Sequence, residues 1–210
     1  MAEITAQMVK DLRESTGAGP LDCKKALTEN NGDFAKAQEW LREKGLSKAA
    51  KKLGAGRTMN EGLIQIYAHH NKRLGVMVEV NCETDFVANT DKFKEFAYNV
   101  SLQIANLSPQ YVRREDIPAE VVEKERETQK AIALNEGKKP EFVDKVIDGR
   151  MEKFYEELVL MEQKFIKDDS KTIAKMLQET VAELGESIQI RRFSRFALGE
   201  VLGGAEESAE

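Results

Sequence analysis

The run Leu74 to Val80, Leu-Gly-Val-Met-Val-Glu-Val, places β-branched residues at every second position, the spacing of a strand with one buried face. An amphipathic helix follows, with Phe93, Phe96, Ala97, Val100, Ile104 and Leu107 at helical spacing. Its apolar stripe must pack on that strand's buried face. Asn81 to Thr90 therefore forms a strand-to-helix corner. Thr90 is placed as N-cap, with Asp91 in the first turn where the helix dipole favours a negative charge. Asp85 and Phe86 stand side by side within the corner. Either Phe86 folds inward as core, the commoner fate of phenylalanine, with Asp85 a mere cap, or ring and carboxylate project together and can enter a partner's crevice.

Three helices precede this unit. Thr5 caps the first, which carries Met8, Val9 and Leu12 on one face and ends before Gly17. Pro20 suits the first position of the second, which turns Leu21, Ala26 and Leu27 inward and stops at Asn31-Gly32. Asp33 caps a third that presents Phe34, Ala37, Trp40 and Leu41, with Gly45 as its expected C-cap. Trp40 and Phe34 should supply much of so small a core. Such a bundle resembles the ubiquitin-associated fold. Lys48 to Arg57 reads as a linker, continued as a helical turn until Gly54 and Gly56 break it.

Gly62 to His69 and the Leu74 run make a hairpin turned by His70 to Arg73. Pro118 opens a charged helix to about Asn135. Pro140 opens another, with Phe142, Val143, Val146, Ile147, Met151, Phe154 and Leu158 as a stripe. Ser170 or Thr172 caps a further helix ending at Gly185, and Ile188 to Leu198 forms a third strand returning to the hairpin. The expected fold is α+β: residues 1–53 a three-helix bundle, 54–200 a helix-covered three-stranded antiparallel sheet with a helical hairpin, and 201–210 an acidic flexible tail.

A net charge of −5 argues against a dedicated nucleic-acid binder. The bases between Lys44 and Asn60 have no interleaved aromatic to stack on nucleobases. No apolar run approaches the ~18 residues that span a bilayer, and the first residues have no signal pattern, so a cytoplasmic location is expected. Cys23 and Cys82 are too few for a disulfide framework and lack metal spacing. His69 and His70, as strand neighbours, would point to opposite faces and could not share a metal; turn positions suit them better. No phosphate loop, dinucleotide fingerprint, zinc-protease motif or nucleophile elbow is present. Neither a metal, a cofactor nor a covalent catalytic step is expected.

Leu12-Arg13, Thr16-Gly17-Ala18-Gly19, Asp22 to Leu27, Lys44 to Lys52 and above all Val78 to Ala88 resemble the elongation factor Ts family. Gly149 to Phe154, Asp169 to Thr172 and Arg195 to Glu200 fit its later part. The resemblance implies a guanine-nucleotide exchange factor that binds elongation factor Tu with GDP, displaces the magnesium ion and promotes GDP release and GTP loading. Thr84, Asp85, Phe86 and Val87 would be the magnesium-dislocating loop. Lys10, Arg13, Pro20 and Leu21 match N-terminal positions that contact the GTPase domain, although the family often has a more flexible apolar residue where Pro20 stands. A single core copy is similar to the family's short form, for which a homodimer is the implied assembly. The competing reading is a ubiquitin-associated-like adaptor without exchange activity, which explains the first helices but not the corner. An enzyme using Cys82 and a nearby carboxylate comes third.

Overall fold

Local punctuation shapes the N-terminal bundle in the computed structural model, which describes residues 4–53, 58–138 and 140–200, without the side chains of 48–53, 140 and 141. Thr5 Oγ1 accepts the Met8 N–H and opens α1, Ala6–Thr16, which Gly17 closes at φ 67°. Pro20 is the first residue of α2, Pro20–Glu29, where a missing N–H costs no hydrogen bond. Asn31 and Gly32 reverse the chain at φ 52° and 81°. Asp33 Oδ1 then accepts the Lys36 N–H at 3.1 Å and opens α3, Phe34–Leu53.

The bundle's core is Leu12, Cys23, Ala26, Leu27, Ala37 and Leu41. Three expectations need correction. Leu21 is 83% exposed, because the inward positions of α2 are 23, 26 and 27, and residue 21 lies ~160° round the helix from their midpoint. Phe34 is exposed and Trp40 only flanks the core, where the Lys44 ammonium sits 4.6 Å from its ring. Gly45 is not a cap. The helix continues through it, and the absent side chain lets α3 come close to α8, Ile173–Leu184: a Cβ at Gly45 would lie 3.5 Å from Ala182 Cβ. Gly54 and Gly56, expected to break that helix, and the acidic tail from 201 lie outside the described residues.

Strands β1 (Glu61–Ala68), β2 (Leu74–Cys82) and β5 (Ile188–Ala197) form an antiparallel sheet with β2 at its centre. Val76, Val78, Val80 and Cys82 point to one side, where Ile188 and Ile190 join them. Gly62 sits opposite Asn81 at φ 143°, and a Cβ there would meet the Val80 carbonyl at 2.1 Å. Only glycine fits. Helix α5, Asp91–Leu107, covers the apolar face with Phe93, Phe96, Ala97, Val100 and Ile104. Leu107, expected with them, is exposed. By angle it belongs to the same stripe, but it is the last residue of the helix, one turn beyond buried Ile104.

Thr172 caps α8, whose Ile173, Met176, Leu177 and Val181 complete this core, and Gly185 ends it at φ 75°. A small hairpin of β3 (Lys164–Phe165) and β4 (Asp168–Thr172) precedes α8, too short to show a period in the sequence. Buried Gln103 anchors it, donating to the Lys164 carbonyl at 3.0 Å and accepting the Ile166 N–H. Helices α6 (Ala119–Asn135) and α7 (Pro140–Leu158) pair around Ala133, Val143, Ile147 and Met151. Phe142, expected in that stripe, is exposed. Arg114 ties the pair to the core: it donates to Glu152 and Glu162 and lies 4.2 Å from the Tyr155 ring.

The two leucines of α2 separate these assignments. Leu27→Ala should cost about 2–5 kcal/mol and Leu21→Ala no more than about 0.5 kcal/mol, read from denaturant midpoints. Equal losses would put Leu21 in the core.

Candidate functional site

Two threonines fold the corner. Beyond β2, Thr84 takes extended geometry and its Oγ1 accepts the Val87 N–H at 3.3 Å, opening the single-turn helix α4, Asp85–Ala88. Asn89 closes that turn by donating from Nδ2 to the Asp85 carbonyl at 2.9 Å. Thr90 Oγ1 donates to the Val87 carbonyl at 2.8 Å and accepts the Phe93 N–H, starting α5 as expected. The helical turn between the caps was not visible in the sequence, since so short a helix has no apolar period.

Within α4, Val87 and Ala88 face the core. Phe86 lies ~150° round from their midpoint, and its ring is 78% exposed. The outward alternative is the one observed. Leaving a phenylalanine in water forgoes about 1.5–3 kcal/mol of burial, which the fold leaves available to a partner. Asp85 is exposed beside it, whereas Val87 is buried and can support the loop but not touch a partner from this conformation.

Two carboxylates from opposite sides brace the corner. Glu186, just past α8, accepts the Thr84 Oγ1–H at 2.7 Å and the Thr84 N–H at 3.1 Å. Glu83 accepts the Ser187 N–H at 2.8 Å. Cys82 Sγ donates to the Thr84 carbonyl, and burial, with Glu186 nearby, pushes its thiol up to about 11. A thiol held neutral at physiological pH is a poor nucleophile.

Lys10, Arg13, Pro20 and Leu21 are all exposed, on the first two helices. Lys10 pairs with Glu14 at 3.8 Å. Pro20 and Leu21 lie together at the start of α2, and Thr84 to Val87 are contiguous at the corner; the two sets belong to different elements. A cleft of about 880 Å³ between the bundle and α8 is lined by Gly19, Asp22, Arg42, Glu179 and Glu183, and by none of these candidate residues.

His69 and His70 lie at the hairpin turn beyond β1, the position expected to suit them better than a strand, and their rings lie 4.2 Å apart. Outside the strand the alternation of faces no longer applies. Among the described residues, no group of three or more His, Cys, Asp or Glu is placed to hold a metal ion. None of the described helices is long and apolar enough to cross a membrane.

One surface escaped the sequence reading. On the sheet's outer side Ile64, Ile66, Met77 and Phe196 are exposed, and Leu198 follows. Ile66 pairs with Met77, and Phe196 stands opposite Gly75. The available signal was Leu63-Ile64, adjacent apolar residues that must face opposite ways.

The elongation factor TS family model matches residues 25–200. The chain is 58% identical over 204 residues to elongation factor Ts of Carboxydothermus hydrogenoformans, covering 97% of this chain and 93% of that protein. It is 60% identical over 197 residues to elongation factor Ts of Thermoanaerobacter sp. (strain X514), with 94% and 96% covered. Against elongation factor Ts of Fervidobacterium nodosum the identity is 54% over 198 residues, with 94% and 100% covered. A family match across most of the chain, with relatives this similar over nearly their full length, shows that the chain belongs to the elongation factor Ts family.

Proposed function

We propose that this protein is a cytoplasmic translation factor that binds elongation factor Tu carrying GDP, dislodges its magnesium ion and so promotes GDP release and GTP loading, with no covalent step. The observation that carries the reading is the Phe86 ring, 78% exposed on a turn braced by two threonine caps. Magnitudes define what the ring can do. A nucleotide held at nanomolar strength represents roughly −12 kcal/mol, whereas burying one phenylalanine returns about 1.5–3 kcal/mol. Phe86 cannot expel GDP by affinity alone. It can distort a site whose magnesium ion needs near-ideal octahedral geometry. The rest must come from contacts that prefer the nucleotide-free state, and by reciprocity GDP weakens this protein's hold on its partner.

Lys10, Arg13, Pro20 and Leu21 supply the second contact in this reading. Leu21, exposed and dispensable for the bundle's core, has the character of an interface anchor. An adaptor of the ubiquitin-associated kind would use that bundle and leave Phe86 without a role. A second copy of the chain is proposed to cover the outer face of the sheet, since Ile64, Ile66, Met77 and Phe196 form an apolar surface exposed to water, and a two-fold pair would bury the same patch on both copies. At one side of it Glu79 bonds Arg192 and Arg191, which hold its carboxyl below the ordinary range.

Phe86→Ala should slow stimulated GDP release from elongation factor Tu at least about tenfold, the loss of one buried aromatic anchor, without changing the melting temperature; an unchanged release rate rejects the proposal. Leu21→Ala with Arg13→Ala should weaken the nucleotide-free complex about tenfold by titration calorimetry, and full affinity would remove the bundle from the interface. For the dimer, Ile66→Glu should convert the species seen by sedimentation equilibrium from dimer to monomer. A monomeric parent protein would dismiss that assembly.

A further inference from the structure

We propose that Glu186, acting with Glu83, is the positioning device for the Phe86 corner, an inference that rests on reading that corner as the exchange-active loop. The β2–β5 ladder ends at the pair Cys82 and Ile188. One step further the register would set Glu83 opposite Ser187, and two steps further Thr84 opposite Glu186. There β2 leaves the sheet to build α4, and the Thr84 carbonyl turns into the helix, accepting the Ala88 N–H at 3.2 Å. Beyond the ladder the carboxylates bond crosswise: Glu83 accepts the Ser187 N–H, and Glu186 accepts both the N–H and the hydroxyl of Thr84.

The consequence reaches the ring. Because the Thr84 hydroxyl spends its hydrogen on Glu186, its lone pairs are aimed at the Val87 N–H, the bond that starts α4. A four-residue helix has no stability of its own. Its direction is therefore set by its anchors: buried Val87 and Ala88 on one side, and the Thr84 to Glu186 contact, bridging 102 residues, on the other. Glu186 bonds Thr84 through both carboxylate oxygens. It acts through Thr84, by fixing the angle at which Phe86 leaves the surface.

Glu186→Ala in the full-length chain tests this, with Glu186→Gln and Phe86→Ala alongside. In the free protein, amide hydrogen exchange at Val87, Ala88 and Asn89 should speed up about tenfold while Val78 and Val100 stay protected. With elongation factor Tu, the maximal rate of GDP release should fall about tenfold, and the concentration giving half of it should move less than about twofold because the bundle still docks. Glu186→Gln keeps an acceptor oxygen for Thr84 and should recover the maximal rate to within about threefold. Unchanged protection of α4 overturns the proposal, as does a loss of protection spread over the whole core, which would mean general destabilisation. A loosened corner with full release, where Phe86→Ala abolishes it, overturns the positioning role alone. If Phe86→Ala itself leaves release intact, the exchange reading fails and the proposal falls with it.

Discussion

The burial of one face of β2 is the constraint on which the rest of the core depends. This strand is central, bonded on both edges, and its alternating Val76, Val78, Val80 and Cys82 are covered by α5 and α8. A slip of one residue would turn all four to the opposite side. Its register also places Gly62 where a Cβ would meet the Val80 carbonyl at 2.1 Å. Sheet, covering helices and corner are thus a single packing solution. The corner's position is a consequence of where β2 stops.

That connection explains how a short loop can hold an exposed ring in place. An exposed aromatic ring on a mobile segment would lose ordering entropy when it met a partner. Here Val87 and Ala88 are sunk in the same core that fixes β2, Thr84 is held from α8's end, and Thr90 joins the loop to α5. The ring thus projects from a base tied to the sheet and to both covering helices. Most of the cost of presenting Phe86 is met during folding, which leaves its burial free to act on a partner.

The N-terminal bundle has a different character. Its core is built from small and aliphatic residues, and its attachment to the rest runs through α3 against α8, at Gly45 beside Ala182. One side of α8 thus receives the bundle and its end holds Thr84. Leu21 and Phe86, both exposed and both proposed to meet elongation factor Tu, are linked through this single helix.

Much of this was legible in the residues alone because the causes were local. Thr5, Asp33, Thr90 and Thr172 cap helices within three residues of themselves, Gly17 and Gly185 close them in left-handed geometry, and the β2 period needs no partner to be recognised. The same locality identified the Asp85-Phe86 corner but left the ring's direction open. What decided the remainder was contact between distant segments. Leu21, Phe34, Leu107 and Phe142 carry the same apolar character as their buried neighbours, and which part of each helix another segment covers is what leaves them exposed. Gly45 signals a helix end by its own preference, yet the closeness of α8 makes a glycine useful inside the helix. Glu186 and Thr84 meet only because β5 returns antiparallel to β2. Sequence by itself determined the capped helix ends, the central strand and the family. Tertiary structure decided which apolar residues meet water and which carboxylate holds the corner, because burial and long-range hydrogen bonds depend on partners that no single segment contains.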